Sequence, residues 1–278
     1  MTERLKRSFD DLIAEAEAHP TSGWDFSWLD ERMKTTPPPW DFTDLVVEKA
    51  REAKSMLDMG TGGGEWLDAL PVKPPRTFAT EGWKPNVLVA RKRLAPLGIE
   101  VVQVDGAPDN VLQNEQEHRG HLPFADGSFD LVVNRNESFV ASEVVRVLAP
   151  GGRFLTQQLG DGLYREFCET LGIAPPNSQP WLVSRAIEQV EKVGLMVIKS
   201  AVGQETVAFA DVGALAWYLR MVSWAVPGFF VSSFRGRLAQ LHEQIQADGP
   251  VVLPLPGFYL EAVTGTTANK SRNPSERL

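Results

Sequence analysis

The 278 residues are 43% hydrophobic and 23% charged, a globular composition that suits one large domain or a core with a smaller accessory part. A net charge of −8 argues against a nucleic-acid binder, which needs basic surface to neutralise phosphates. One cysteine, Cys168, excludes an intrachain disulfide and suits a reducing compartment.

The charged start, "MTERLKRSFDDLIAEAEAHP", has no signal-peptide apolar region and reads as an amphipathic helix over 2–18, with Leu5, Phe9, Leu12 and Ile13 on one side. A Trp- and Pro-rich stretch follows, and 41–53 reads as a second helix capped by Asp41 or Thr43. Strands and helices then alternate. "KSMLDM" is a short apolar strand and "GEWLDAL" opens a helix. Residues 76–81 are a strand, 84–98 a helix closed by glycine, 99–105 a strand and 128–135 another. Residues 141–152 are a helix with a Pro-Gly stop, 153–159 a strand, 183–194 a helix, and 195–209 a strand or bent hairpin. "LYREFCETL" is a helical pattern that makes Cys168 structural rather than nucleophilic. Two helices follow over 211–226 and 231–247, then a last strand over 249–265. The apolar run 215–231 is broken by Arg220 and Pro227 and falls short of a membrane span.

This βαβ repetition predicts an α/β fold: a doubly wound, mostly parallel, seven-stranded Rossmann-like sheet with N-terminal helices and a helical insertion before the last strand. The expected organisation is an N-terminal helical lid over 1–50, a ligand-binding domain over 51–210, a helical cap over 211–248, the final strand over 249–265 and a disordered polar tail over 266–278.

Four of the five residues 60–64 are glycine, between the first strand and a helix, at the sheet edge where such folds bind ligands. A P-loop would need Lys-Ser or Lys-Thr after the glycines, and none is present. A dinucleotide loop needs G-x-G-x-x-G, but the sixth position is Glu65 counted from Gly60 and Leu67 counted from Gly62. A pyrophosphate would also meet Asp58 and Glu65 where it should find donors. A phosphate-free cation, S-adenosylmethionine, suits acidic walls.

The stretch "LDMGTGGGEWL" resembles the first motif of the class I S-adenosylmethionine-dependent methyltransferases, more narrowly their type 11-like domain, with Asp58, Gly60, Thr61 and Gly62 in the cofactor loop. "TFATEG" is similar to the second-strand motif, which implies that Glu81 and Gly82 meet the ribose. "VVQVDGA" resembles the third, which implies that Asp105 binds the adenine amino group and that Gly106 and Ala107 line the ring. The stretch "LPFADGSFDLVVNRNESF…EVVRVLAPGGRFLTQQ" resembles the fourth- to fifth-strand segment, and Asn134 is expected beside the methionine part. The resemblance covers residues 52–205 and implies methyl transfer.

Arg135, Asn136 and Glu137 stand where amino-group DNA methyltransferases carry Pro-Pro-aromatic, which disfavours that substrate. Glu137 is either a general base or cation partner, or the first-turn acid of the next helix. His118 and His121, between the third and fourth strands, could each reach a substrate, His118 as a second candidate catalytic residue, or both are solvated loop histidines. No ligand cluster suggests metal. Aromatic stretches over 23–42 and 216–230 suggest walls for a flat acceptor, with Trp24, Trp40, Trp217, Tyr218 and Trp224 as contacts; the same rings also suit accessory core. The expected reaction carries a methyl group to oxygen or nitrogen of a small, aromatic or secondary-metabolite acceptor, in a cytoplasmic monomer or homodimer that binds neither nucleic acid nor membrane. An rRNA or tRNA methyltransferase and a non-catalytic cofactor-binding protein are the alternatives.

Overall fold

The computed structural model describes residues 7–21, 25–108, 110, 119–160, 162–175 and 180–265. In chain order the elements are α1 (Phe9–Ala18), β1 (Met33–Thr36), α2 (Phe42–Ala50), β2 (Ser55–Met59), α3 (Glu65–Ala69), β3 (Arg76–Glu81), α4 (Lys84–Leu94), β4 (Glu100–Gln103), β5 (Phe129–Arg135), α5 (Ala141–Val147), β6 (Leu148–Leu159), α6 (Gly162–Thr170), α7 (Val183–Lys192), β7 (Leu195–Phe209), α8 (Val212–Met221), α9 (Val231–Asp248) and β8 (Val251–Thr264).

The strands form one sheet in the order β1-β7-β8-β6-β5-β2-β3-β4. Pairing among β2 to β6 is parallel, while β8 runs antiparallel to β6 and β1 antiparallel to β7. The doubly wound α/β reading is correct, and so is the helical insertion before the last strand. The count is eight strands, not seven. The additional one, β1, is four residues long with only Met33 partly covered, so it carries no alternating apolar pattern. The helix expected over 141–152 stops at Val147, because Leu148 already begins β6 and pairs with Phe129.

The chain divides into two compact units of three segments each: residues 40–160, 179–203 and 257–278, and residues 1–39, 161–178 and 204–256. In the first, β2 is buried along its whole length, as a central parallel strand covered on both faces must be. Leu57, Val132 and Phe154 pack on Val144 and Val147 of α5 and Ala186 and Val190 of α7. On the opposite face, Met56, Leu131 and Val133 pack on Val46 and Val47 of α2, Leu67 of α3 and Ala90 and Leu94 of α4. Asp41 caps α2 by accepting from the Asp44 amide at 3.0 Å.

In the second unit, α1 buries Leu12, Ile13 and Ala16, and Ser8 caps it. Trp217 of α8 is fully buried, donates through Nε1 to the Pro20 carbonyl, and packs on Trp28 and Phe26. Tyr218 stacks on Phe167 of α6 at 5.4 Å. Among the described residues, no helix is long and apolar enough to cross a membrane.

Candidate functional site

The C-terminal ends of β2 to β5 converge on the glycine loop. Gly60 and Gly62 take φ values of 70° and 63°, a region that side chains avoid. The loop is tied to β3: the Thr61 amide donates to the Thr80 carbonyl at 2.9 Å and the Gly62 amide to Glu81 Oε2 at 2.7 Å. Glu81 Oε1 accepts from the Trp83 amide at 2.8 Å. Gly82 passes so close to the next strand's loop that a Cβ there would lie 3.2 Å from the Gly106 backbone.

These segments line an open cleft, walled by Met59, Gly60, Gly82, Asp105, Gly106, Ala107, Gly120, Leu122 and Glu137. Among the described residues, no lysine or arginine lines it. Gly60, Gly82, Asp105, Gly106, Ala107 and Glu137 are thus brought together, with Thr61 and Gly62 in the loop and Glu81 holding it from the end of β3. Asp58 lies beneath the loop, fully enclosed on β2.

Three carboxyls here sit above their ordinary range. Burial pushes Asp58 up to about 6, against the pull of the Thr61 hydroxyl and Arg135. Burial also raises Glu81, although amide donors at Trp83, Gly62 and Gly82 oppose it. Burial, aided by the Glu81 charge, lifts Glu137 to about 7. In each case loss of hydration penalises the charged form.

Glu137 is not the first-turn acid of α5. That helix begins at Ala141 after an N-cap at Val140, and Glu143 is the acid in its first turn. Glu143 accepts from the Leu122 amide and pairs with Arg146 and His121. Glu137 instead packs its stem on Gly60, where an added Cβ would stand 2.6 Å from the Glu137 Cβ.

Sequence reasoning passed over the polar network that holds this turn. Asn134 Oδ1 accepts from Thr156 Oγ1 at 2.9 Å and from Gln158 Nε2 at 2.6 Å. Gln158 Nε2 also donates to the Glu137 carbonyl at 3.1 Å, and Gln158 Oε1 accepts from Trp181 Nε1. Asn110 Oδ1 accepts from the Phe139 amide. Asn134 and Thr156 are fully buried and Gln158 nearly so. The signal was present: Thr156 and Gln158 are polar at alternate positions of a strand whose flanks are apolar. The Asn134 Nδ2 has no partner among the described residues.

The remaining candidates are placed as follows. Trp40 donates to Gln157 Oε1 at 2.8 Å and packs on Tyr259. Trp217 and Tyr218 are packed inside the other unit, where burial raises the Tyr218 hydroxyl far above its usual range, with Glu205 adding to the effect. Trp224 is 46% exposed. Trp24 and His118 lie outside the described residues, as does the tail over 266–278. Glu65, counted above among the acids of the loop, turns to Arg93 at 2.8 Å; Asp105 and Glu137 are the acids of the cleft wall. Among the described residues, no group of three or more His, Cys, Asp or Glu side chains could hold a metal.

Residues 57–156 match a family model described as a methyltransferase domain. A Bacillus halodurans protein, named as a candidate methyltransferase, superposes with a TM-score of 0.55 at 19% identity, covering 81% of this chain and 99% of its own. The YcgJ protein of Bacillus subtilis superposes at 0.52 with 17% identity, covering 80% and 97%. At such identities the likeness is one of fold. No curated protein matches the chain. Residues 57–156 thus match a methyltransferase domain, and the sheet has the α/β Rossmann-like fold of the solved methyltransferase it resembles.

Proposed function

We propose that the chain binds S-adenosylmethionine in the cleft beside the glycine loop and catalyses methyl transfer to oxygen or nitrogen of a small, aromatic acceptor. The observation that carries this reading is the wall itself: two carboxyls, bare glycine backbone and, among the described residues, no basic side chain. A diphosphate would face repulsion there, on the order of 1 kcal/mol or more for each close like charge. A sulfonium nucleoside suits the same wall.

The residues fit that cofactor. Both Glu81 oxygens accept one backbone amide and keep lone pairs for vicinal hydroxyls. Asp105 with Gly106 and Ala107 offers an acceptor beside a flat, side-chain-poor wall, as an adenine needs. Bound here, the cofactor supplies an activated methyl group. The protein's part is to orient the acceptor and exclude water, which can supply roughly 7–11 kcal/mol of the barrier. Glu137, held near neutrality, is the group in the cleft able to take a proton from a hydroxyl or ammonium acceptor, an effect of roughly 10²–10⁴-fold. Trp40, in the same compact unit as the cleft, is the proposed aromatic contact. The net charge of −8 supports a small acceptor over RNA, and a cytoplasmic setting agrees with the single cysteine.

Calorimetry tests the reading. Binding of S-adenosylhomocysteine with no binding of NADH supports it; the reverse refutes it. Methyl transfer from labelled cofactor to a panel of phenols and aromatic amines then identifies the acceptor class.

A further inference from the structure

Methyl transfer changes the charge on the cofactor's sulfur from positive to neutral, so a site that releases its product must tell the two apart. We propose that Glu137 makes this distinction: its carboxyl is ionised against the sulfonium and protonated against the neutral thioether, so that the cation's arrival expels one proton to solvent. The inference rests on the cofactor reading above.

The geometry supplies a fixed, uncompensated carboxyl. Its stem is wedged on Gly60. Its backbone is clamped on both sides: the Asn136 amide donates to the Gln157 carbonyl at 2.8 Å, Gln158 Nε2 reaches the Glu137 carbonyl, and the Phe139 amide is held by Asn110. Asn136 turns the chain here with a φ of 57°. Among the described residues the carboxyl has no hydrogen-bond or ion-pair partner.

The charges on the neighbouring described elements leave it so. From β3, Glu81 repels it. Asp58 of β2 lies beneath the loop, and Asp105 follows β4 in the same cleft wall. Arg135 of β5 lies over the Trp66 ring at 5.2 Å. Beyond Leu122, His121 and Arg146 are both engaged with Glu143, and Arg119 has contacts of its own. The glycine loop brings no cation, since Arg93 is taken by Glu65. A carboxyl so placed titrates near neutral pH, and a positive ligand entering the cleft gives it a counter-ion.

Position agrees. In the sheet, β5 and β2 are neighbours, and β3 and then β4 lie beyond. With adenine at Asp105 after β4 and ribose at Glu81 on β3, the next group along the cofactor is its sulfur, on the side where Glu137 stands.

The test is calorimetry of S-adenosylmethionine and S-adenosylhomocysteine with the full chain, in phosphate and in Tris, at pH 6, 7 and 8. The different ionisation enthalpies of the buffers count the protons released. The cation should release about 0.9 proton more than the thioether at pH 6, about 0.5 at pH 7 and about 0.1 at pH 8. Its affinity relative to the thioether should rise about tenfold from pH 6 to pH 8. In Glu137→Gln both effects should vanish, while thioether affinity stays within about twofold, which also shows that the variant is folded. Equal proton release by the two ligands, or a difference that survives in Glu137→Gln, overturns the proposal and leaves the cofactor reading standing. Binding of neither ligand to the wild-type chain removes both.

Discussion

The side chain of Glu137 lies directly on the bare Cα of Gly60. The first glycine of the loop therefore makes room for a neighbouring acid as well as for a ligand. Loop and acid form one unit, joined across the gap between β2 and β5.

Gly60→Ala should be costly on two counts. The φ of 70° strains any side chain by about 1–3 kcal/mol, and the new Cβ would collide with Glu137. The Gly60→Ala/Glu137→Ala double variant should cost less than the sum of the two singles, because the collision is gone and only strain remains. Thermal unfolding of the four proteins measures the coupling; simple additivity would show that the two residues do not touch.

Asp105→Ala should weaken S-adenosylhomocysteine binding about tenfold or more and leave the melting temperature within about 2 °C, since one hydrogen bond to a charged group contributes roughly 1.5–3 kcal/mol. Calorimetry alongside thermal unfolding separates the two effects. Unchanged affinity would count against an adenine contact.

The ligand-free chain should lose stability as pH rises from about 4 to 7 on account of Asp58 and Glu137. Both carboxyls have higher pKa values in the folded chain, so the folded state holds their protons more tightly than the unfolded state does. Their contribution is complete below the unfolded values and is lost as pH climbs through about 6 and about 7. Glu137→Gln should melt several degrees above the wild type at pH 8 and no higher than it at pH 4.5. A gap that does not change with pH would contradict the burial of this group.

Asp211 has two duties in the unit that contains α8. Its carboxylate takes Arg32 Nε at 2.8 Å and Nη2 at 2.6 Å, and it caps α8 by accepting from the Ala214 amide. Asp211→Ala should cost about 1–3 kcal/mol in denaturant unfolding, from the lost cap and the lost two-toothed pair with Arg32, which keeps Glu15 and the Trp28 ring. Asp211→Asn keeps the cap and should recover about 1 kcal/mol of that loss.

The sheet was legible because its strands are short apolar runs set between glycines and helical periods. Arg76–Glu81 was read to the residue, and the motif positions landed on the strand tips because the parallel register leaves no other place for them. The strand Met33–Thr36 escaped because an exposed edge strand needs no apolar alternation. Glu137 could not be assigned from sequence: an acid three or four residues before a helical pattern looks like a cap, and only the backbone turn at Asn136 sends it to Gly60. The network of Asn134, Thr156 and Gln158 escaped because side-chain pairing across adjacent strands depends on register, which one chain's pattern does not state.

Neither compact unit is continuous along the polypeptide, and this bears on its synthesis. Trp217 reaches the Pro20 carbonyl across 197 positions, a stretch that takes a ribosome about 10–40 s to make. For that interval the nascent N-terminal helix and its aromatic neighbours lack the partner that covers them. The final strand, which closes the sheet against β6, emerges later still. Neither body can close until residues 251–264 have been made, so a pause or stop ahead of them yields two unfinished cores rather than one good domain.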